Sequence, residues 1–202
     1  IRDSDWTGLR LLADKYDLQL INDNCHALGA RYQNKKTYAS YYADIVTHSY
    51  HPVKHITTGE GGSVLTNNSS IYEKIVSLRT HGMTKDPKKM KKNEGVWYYE
   101  MNKLGFNYRM TDFQSALGSS QLKKLDSFIE KRRKIANRYD EYFNGIKNVI
   151  TPKISENVKH AYHLYPIQIE FKRLRIDKPN FFHKMKNDGI NLQVHYIPVH
   201  LQ

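Results

Sequence analysis

The sequence contains a single cysteine, Cys25, among 202 residues. It can therefore neither staple a fold with internal disulfides nor build a thiolate zinc centre without help from other chains. No apolar run approaches the roughly 20 residues needed to span a bilayer, and the opening Ile1-Arg2-Asp3-Ser4-Asp5 has no apolar signal core. These absences read as a cytosolic chain with no membrane partner. Internal repeats and low-complexity tracts are also missing. So is an initiating Met, and the sequence stops in Pro198-Val199-His200-Leu201-Gln202 without a helix cap or polar tail, the pattern of a piece cut from a longer chain. Acidic residues are scarce: 20 Asp and Glu face 32 Lys and Arg, a formal net charge of +12. That surplus suits nucleic acid, an anionic membrane or a phosphate-bearing small molecule, and charge alone does not choose among them.

What is present is globular in balance, 39% hydrophobic and 26% charged, with length for one to two domains. Ser4 or Asp5 can cap a first amphipathic helix over 5–16. Leu18-Gln19-Leu20-Ile21, Ile45 to Tyr50 and Gly61 to Thr66 read as short strands. Ser69 or Ser70 can cap a helix that Gly82 ends. Thr111 opens an apolar pattern that runs unbroken to Asn144-Gly145 and predicts one long helix. Beyond it, Tyr162–Ile169 and Ile190–Tyr196 read as strands around a helix over 178–188. Strands interleaved with helices indicate an α/β domain. The five lysines between Lys85 and Asn93 lack apolar periodicity, which fits a solvated loop.

Four stretches can carry chemistry. Between two strands lies Ser49-Tyr50-His51-Pro52-Val53-Lys54-His55-Ile56-Thr57-Thr58-Gly59-Glu60-Gly61-Gly62. Lys54, crowded by His51 and His55, can serve as an amine nucleophile toward an aldehyde cofactor, and the hydroxyls of Ser49, Thr57 and Thr58 suit a phosphate. An ordinary surface lysine beside an ordinary Gly-rich turn is the competing reading. Asp23, ending an earlier strand in Asp23-Asn24-Cys25-His26, can hold a pyridine nitrogen protonated or form an Asx turn. His26 can reach a cofactor ring or satisfy a carbonyl. Asn107-Tyr108-Arg109 precedes a helix N-terminus, where amides favour anions. His195-Tyr196 near the end suits either a substrate contact or a packed corner.

Together these stretches resemble the pyridoxal-phosphate-dependent sugar-nucleotide aminotransferases of the DegT/DnrJ type. The likeness runs through Asp23 to Ala30, Ser49 to Lys54, Thr57 to Gly62, Asn107 to Asp112 and Gln121 to Asp126. It implies a fold-type I α/β architecture: the C-terminal portion of a large cofactor-binding domain over 1–110, a connecting helix over 111–145 and a truncated small α+β domain over 146–202. It also implies that Lys54 is the lysine that condenses with pyridoxal 5′-phosphate and shuttles a proton. Asp23 would pair with the pyridine nitrogen, His26 lie against the ring, and Ser49 bind the phosphate. Asn107 would reach the phosphate of a neighbouring subunit, which implies a homodimer with shared sites, and His195 would meet substrate. The His-Pro-Val-Lys wording and the final His-Tyr-Ile-Pro look most like the pseudaminic acid branch, which aminates C4 of a UDP-linked 4-keto-6-deoxy-N-acetylhexosamine with L-glutamate. Relatives that are dehydratases carry His where Lys54 stands. The family's N-terminal phosphate turn and stacking aromatic have no counterpart in these residues, so a catalytically inactive truncated homologue is the second reading. A basic nucleic-acid-binding module is the third, and no nucleic-acid motif supports it.

Overall fold

The structure of the chain, a computed structural model, describes residues 5–202. Helix α1 (Trp6–Lys15) is capped by Asp5, whose carboxylate accepts from the Gly8 N–H at 3.0 Å; Ser4, the alternative cap, lies outside the described residues. The chain then forms β1 (Ile21–Asp23), β2 (Arg31–Tyr32), α2 (Tyr38–Tyr42), β3 (Ile45–Ser49) and β4 (Gly62–Leu65). β1 runs parallel to β3 with Ile21 opposite Ile45 and Asp23 opposite Thr47, while β4 returns antiparallel with Gly62 opposite Ser49. This register sets the carboxyl ends of β1 and β3 side by side, the place where open α/β sheets gather ligands. The first strand starts three residues later than its apolar run predicts. Leu18 is 59% exposed, and pairing to β3 rather than local hydrophobicity decides where the strand begins.

Arg10 locks α1 to this sheet. It donates to the Asp44 carboxylate at 3.0 Å and to the Tyr42 carbonyl at 3.2 Å, and Asp44 also accepts from the Leu20 N–H at 2.7 Å. The core beneath joins Val46, fully buried, with Ala30, Tyr32, Tyr38, Ala39, Tyr42, Ala43, Ile129 and Ala161. Its tyrosines bury their rings while placing their hydroxyls on partners: Tyr38 donates to Asn24 at 2.7 Å and Tyr42 to Gln33 at 3.3 Å.

Helix α3 (Ser69–Arg79) is capped by Asn68, not by either serine; its carboxamide oxygen accepts from Ser70 and Ile71. A small hairpin, β5 (Met83–Thr84) with β6 (Glu100–Met101), follows. Thr111 then caps α4 (Asp112–Leu122) in a box with Gln114. The expected long helix is interrupted at Lys123-Lys124, and a separate α5 (Leu125–Phe143) follows. The two halves pack on different targets. α4 brings Gly118 so close to Thr58 that a Cβ there would lie 2.8 Å from the Thr58 methyl, whereas α5 seats Ile129 against Gly29. β7 (Val149–Ile150) pairs with β9 (Gln168–Ile169), and β8 (Val158–Lys159) pairs with β2. Only the last two residues of the predicted 162–169 strand are therefore extended. Helix α6 (Lys178–Asn187) forms as expected. The alternating stretch 190–196 is not a strand, because a strand needs a bonded neighbour and no described segment pairs with it.

Gly82 shows how tightly the stretch that leads to Asn107 is held. It has φ +68°, and a Cβ on it would lie 1.9 Å from the Lys103 carbonyl oxygen. Gly145, at φ +75°, has nothing within 4 Å of the same position. Gly145→Ala is expected to cost only the left-handed strain, about 1 kcal/mol, and Gly82→Ala roughly 3 kcal/mol or more, read from urea unfolding midpoints. Equal costs would contradict this packing.

Candidate active site

The loops that leave β1 and β3 meet at one end of the sheet. Asp23 is the last residue of β1, and the turn after it is fixed by the Asn24 N–H donating to the Thr47 carbonyl at 3.0 Å. Beyond β3, Tyr50 donates its N–H to Gly61 at 2.8 Å and receives that of Thr58 at 3.0 Å, which closes a loop around Lys54. Within the loop the Lys54 N–H donates to the His51 carbonyl at 2.9 Å. Helix α4 braces the far side, where Gln114 donates to the Glu60 carbonyl at 2.9 Å.

Asp23 and Lys54 share this end. The thiol and N–H of Cys25 lie against the Asp23 carboxylate, the N–H donating at 3.2 Å, and the charge of Lys54 adds to their effect. Together they hold Asp23 below the usual carboxylate range. The charge of Lys54 is felt at Asp23, Cys25, His26 and His163, which puts the amine at the same end of the sheet as the carboxylate.

Four imidazoles crowd the same place. His26 lies with its ring centroid 4.3 Å from that of His163 and 5.9 Å from that of His195, and His163 lies 5.6 Å from His55. Burial, aided by Lys54 and His195, lowers the pKa of His26. Burial also leads for the other two: His163 falls to about 4, with His26, Lys54, Arg132 and His195 adding, and His55 to about 3, with Arg132, His163 and His160 adding. Among the described residues no group meets hydrogen-bonding geometry with either ring nitrogen of His55, although the Ala161 backbone is near enough to favour its proton slightly.

Of the residues singled out from the sequence, Asp23, His26, Lys54 and His195 are brought together. Ser49, half-buried at the end of β3, is adjacent to them in the fold; its hydroxyl accepts from the His51 N–H at 3.4 Å. The other two hydroxyls considered for an anion are engaged: Thr57 donates to Tyr50 at 3.1 Å and Thr58 to Glu60 at 2.7 Å. Asn107 is not in this cluster. It is exposed, bridges to Thr80, and no described hydrogen bond leads from it to Asp23 or Lys54. His55 is read in the sequence only as a neighbour of Lys54, and the structure shows it buried beneath the cluster. His163 and Arg132 carry no sequence signal beyond a stretch around 162–169 that reads locally as strand.

The donor set suits pyridoxal 5′-phosphate. A primary amine, a carboxylate held ionised and an uncharged aromatic ring stand at one strand end, with a hydroxyl nearby. The sequence matches the DegT/DnrJ/EryC1/StrS aminotransferase family over residues 3–202. It is 45% identical over 190 residues to an uncharacterized protein of Methanocaldococcus jannaschii, covering 94% of this chain and 49% of that protein. It is 42% identical over 189 residues to the UDP-4-amino-4,6-dideoxy-N-acetyl-β-L-altrosamine transaminase of Campylobacter jejuni, covering 94% and 47%. Among solved structures, Helicobacter pylori PseC, an aminotransferase involved in the biosynthesis of pseudoaminic acid, agrees with a TM-score of 0.84 at 34% identity, covering 98% of this chain and 50% of its own. The PLP form of the sugar aminotransferase Spr1654 from Streptococcus pneumoniae agrees with a TM-score of 0.82 at 27% identity, covering 99% and 53%. The chain spans about half the length of the curated relatives it matches.

His55, buried, and His163, half-buried, make a pH prediction. Both titrate near 6.5 when unfolded and well below it when folded, so on acidification the unfolded chain takes up protons the native state refuses. Their contribution to stability is present above pH 6.5 and is lost as pH falls toward about 4 for His163 and about 3 for His55. Each group can remove at most ~1.4 kcal/mol per pH unit in that window. His55→Phe should flatten the fall in urea midpoint between pH 6.5 and 4; an unchanged slope would show that His55 is not buried neutral.

Proposed function

Because this chain belongs to the DegT/DnrJ/EryC1/StrS aminotransferase family, we propose that the protein it forms part of transfers an amino group to a keto sugar carried on UDP, using pyridoxal 5′-phosphate at Lys54. The observation that carries this reading is the meeting of the Lys54 amine, the ionised Asp23 carboxylate and the His26 ring at the ends of β1 and β3. When bound, the cofactor supplies an aldehyde for amine exchange and an electron-withdrawing ring.

The chain's own residues have separate tasks in this account. Lys54 Nζ would be the amine that holds the cofactor, and it would move a proton between the reacting carbon atoms. Asp23, kept a carboxylate by Cys25, holds a proton on the pyridine nitrogen. His26 covers one face of the ring and excludes water, and Ser49 donates to the phosphate. Asn107 reaches the phosphate in a neighbouring subunit, which makes the working form a homodimer. Its exposed position among the solvent-facing Leu104, Phe106, Tyr108 and Phe113 supports that role. His195 contacts substrate. Residues 1–110 complete the large domain, α4 and α5 connect, and 146–202 begin the small one.

Names of relatives refine the substrate. The Campylobacter transaminase and PseC favour amination at C4 of a UDP-linked 4-keto-6-deoxy-N-acetylhexosamine, with L-glutamate as donor and glycan biosynthesis as the setting. A nucleotide sugar, a cofactor phosphate and glutamate are all anions, and the +12 surplus would draw them in. No described helix is long and apolar enough to cross a membrane, and we assign the protein to the cytoplasm.

The full-length protein titrated with pyridoxal 5′-phosphate should gain a visible absorbance band distinct from the free cofactor. Lys54→Ala should abolish that band and lower amino transfer on the order of 10³-fold or more. Asp23→Asn, nearly the same shape without the charge, should keep cofactor bound and still slow turnover steeply. A Lys54→Ala protein that keeps both band and activity would refute the proposal.

A further inference from the structure

The sequence offers no reason to look at His163, yet the fold drives it into the site. We infer that His163 is the positioning residue for His26, fixing the distance and tilt of the ring that receives the cofactor. This rests on the reading of His26 as the cofactor-facing ring.

Three observations carry it. The first is placement. His163 sits 4.3 Å from His26 on one side, tilted 56°, and 5.6 Å from His55 on the other. His55 is 3% exposed and follows Lys54 directly in the chain, so His163 is a spacer between His26 and the rigid base of the lysine loop. The second is how the backbone turns to put it there. Tyr162, a bulky aromatic, has φ +49°, a left-handed conformation that persists only where its surroundings enforce it. Arg132 enforces it by donating Nη1 to the carbonyls of Tyr162 at 3.1 Å and His163 at 3.4 Å, and the Tyr162 N–H donates to His160 Nδ1 at 3.1 Å. The third is chemical. Nδ1 of His163 is buried with no hydrogen-bond partner in the described structure, a cost that a phenyl ring would avoid. Burial and the positive groups around it, His26, Lys54, Arg132 and His195, keep the ring uncharged, so it meets His26 as a flat neutral surface.

The test uses the full-length protein and pyridoxal 5′-phosphate. His163→Ala should weaken cofactor binding about tenfold, the size typical of a residue that supports a ligand-contacting side chain, and reduce the circular dichroism of the bound cofactor band. His163→Phe, which keeps a ring between His26 and His55, should restore most of both. In a His26→Ala background the His163→Ala substitution should add little, since it acts through His26. Three results would overturn the inference: unchanged affinity and dichroism in His163→Ala, a full additional loss in the His26→Ala background, or no rescue by phenylalanine. Failure of the unsubstituted protein to bind the cofactor would instead remove the parent reading, and this one with it.

Discussion

The site depends on the parallel register of two short strands. Setting Asp23 opposite Thr47 brings the carboxyl ends of β1 and β3 level, and everything chemical hangs from the loops that leave them. A slip of one residue would turn Asp23 to the other face of the sheet. The register is guarded from both ends: Asp44, gripped by Arg10, accepts the Leu20 N–H at 2.7 Å before β1, and the Asn24 N–H binds the Thr47 carbonyl after it.

Electrostatics then sorts the groups the sheet has gathered. Burial beside Lys54 and Arg132 penalises any further positive charge, so the imidazoles of His26, His55 and His163 are held neutral. Asp23 is kept ionised chiefly by the thiol and N–H of Cys25, with the charge of Lys54 adding to them. A carboxylate and neutral rings around an amine is the combination that a cationic pyridine ring requires; hydrogen bonds from Cys25 maintain the first and burial the second. Arg132 has two parts in it, since its guanidinium also anchors the carbonyls of residues 162 and 163.

Features encoded locally were legible in the sequence. The Thr111 cap, the start of β3 at Ile45 and the helix beginning at Lys178 follow from side chains a few residues apart, and the structure places them as read. Features decided by distant contact were not. The apolar periodicity from 111 to 143 is continuous, but Gly118 must meet Thr58 while Ile129 must meet Gly29, and no straight rod satisfies both. Leu18 looks like strand and faces water, and 190–196 alternates without a described partner. In the site, Asp23, His26 and Lys54 stand out by their wording at strand ends. The hydroxyls of Thr57 and Thr58 looked free for an anion but spend their protons on their own loop. His163 and Arg132 come from segments more than a hundred residues beyond His26, and only tertiary packing reveals them.

The central claim is that one amine, Lys54, is the covalent anchor of the cofactor. The most direct measurement is to load the full-length protein with pyridoxal 5′-phosphate, trap the linkage with borohydride, digest the protein and locate the added mass by peptide mapping. The account predicts a single labelled peptide, carrying the modification on Lys54. A label on any other lysine, or none at all, would contradict it.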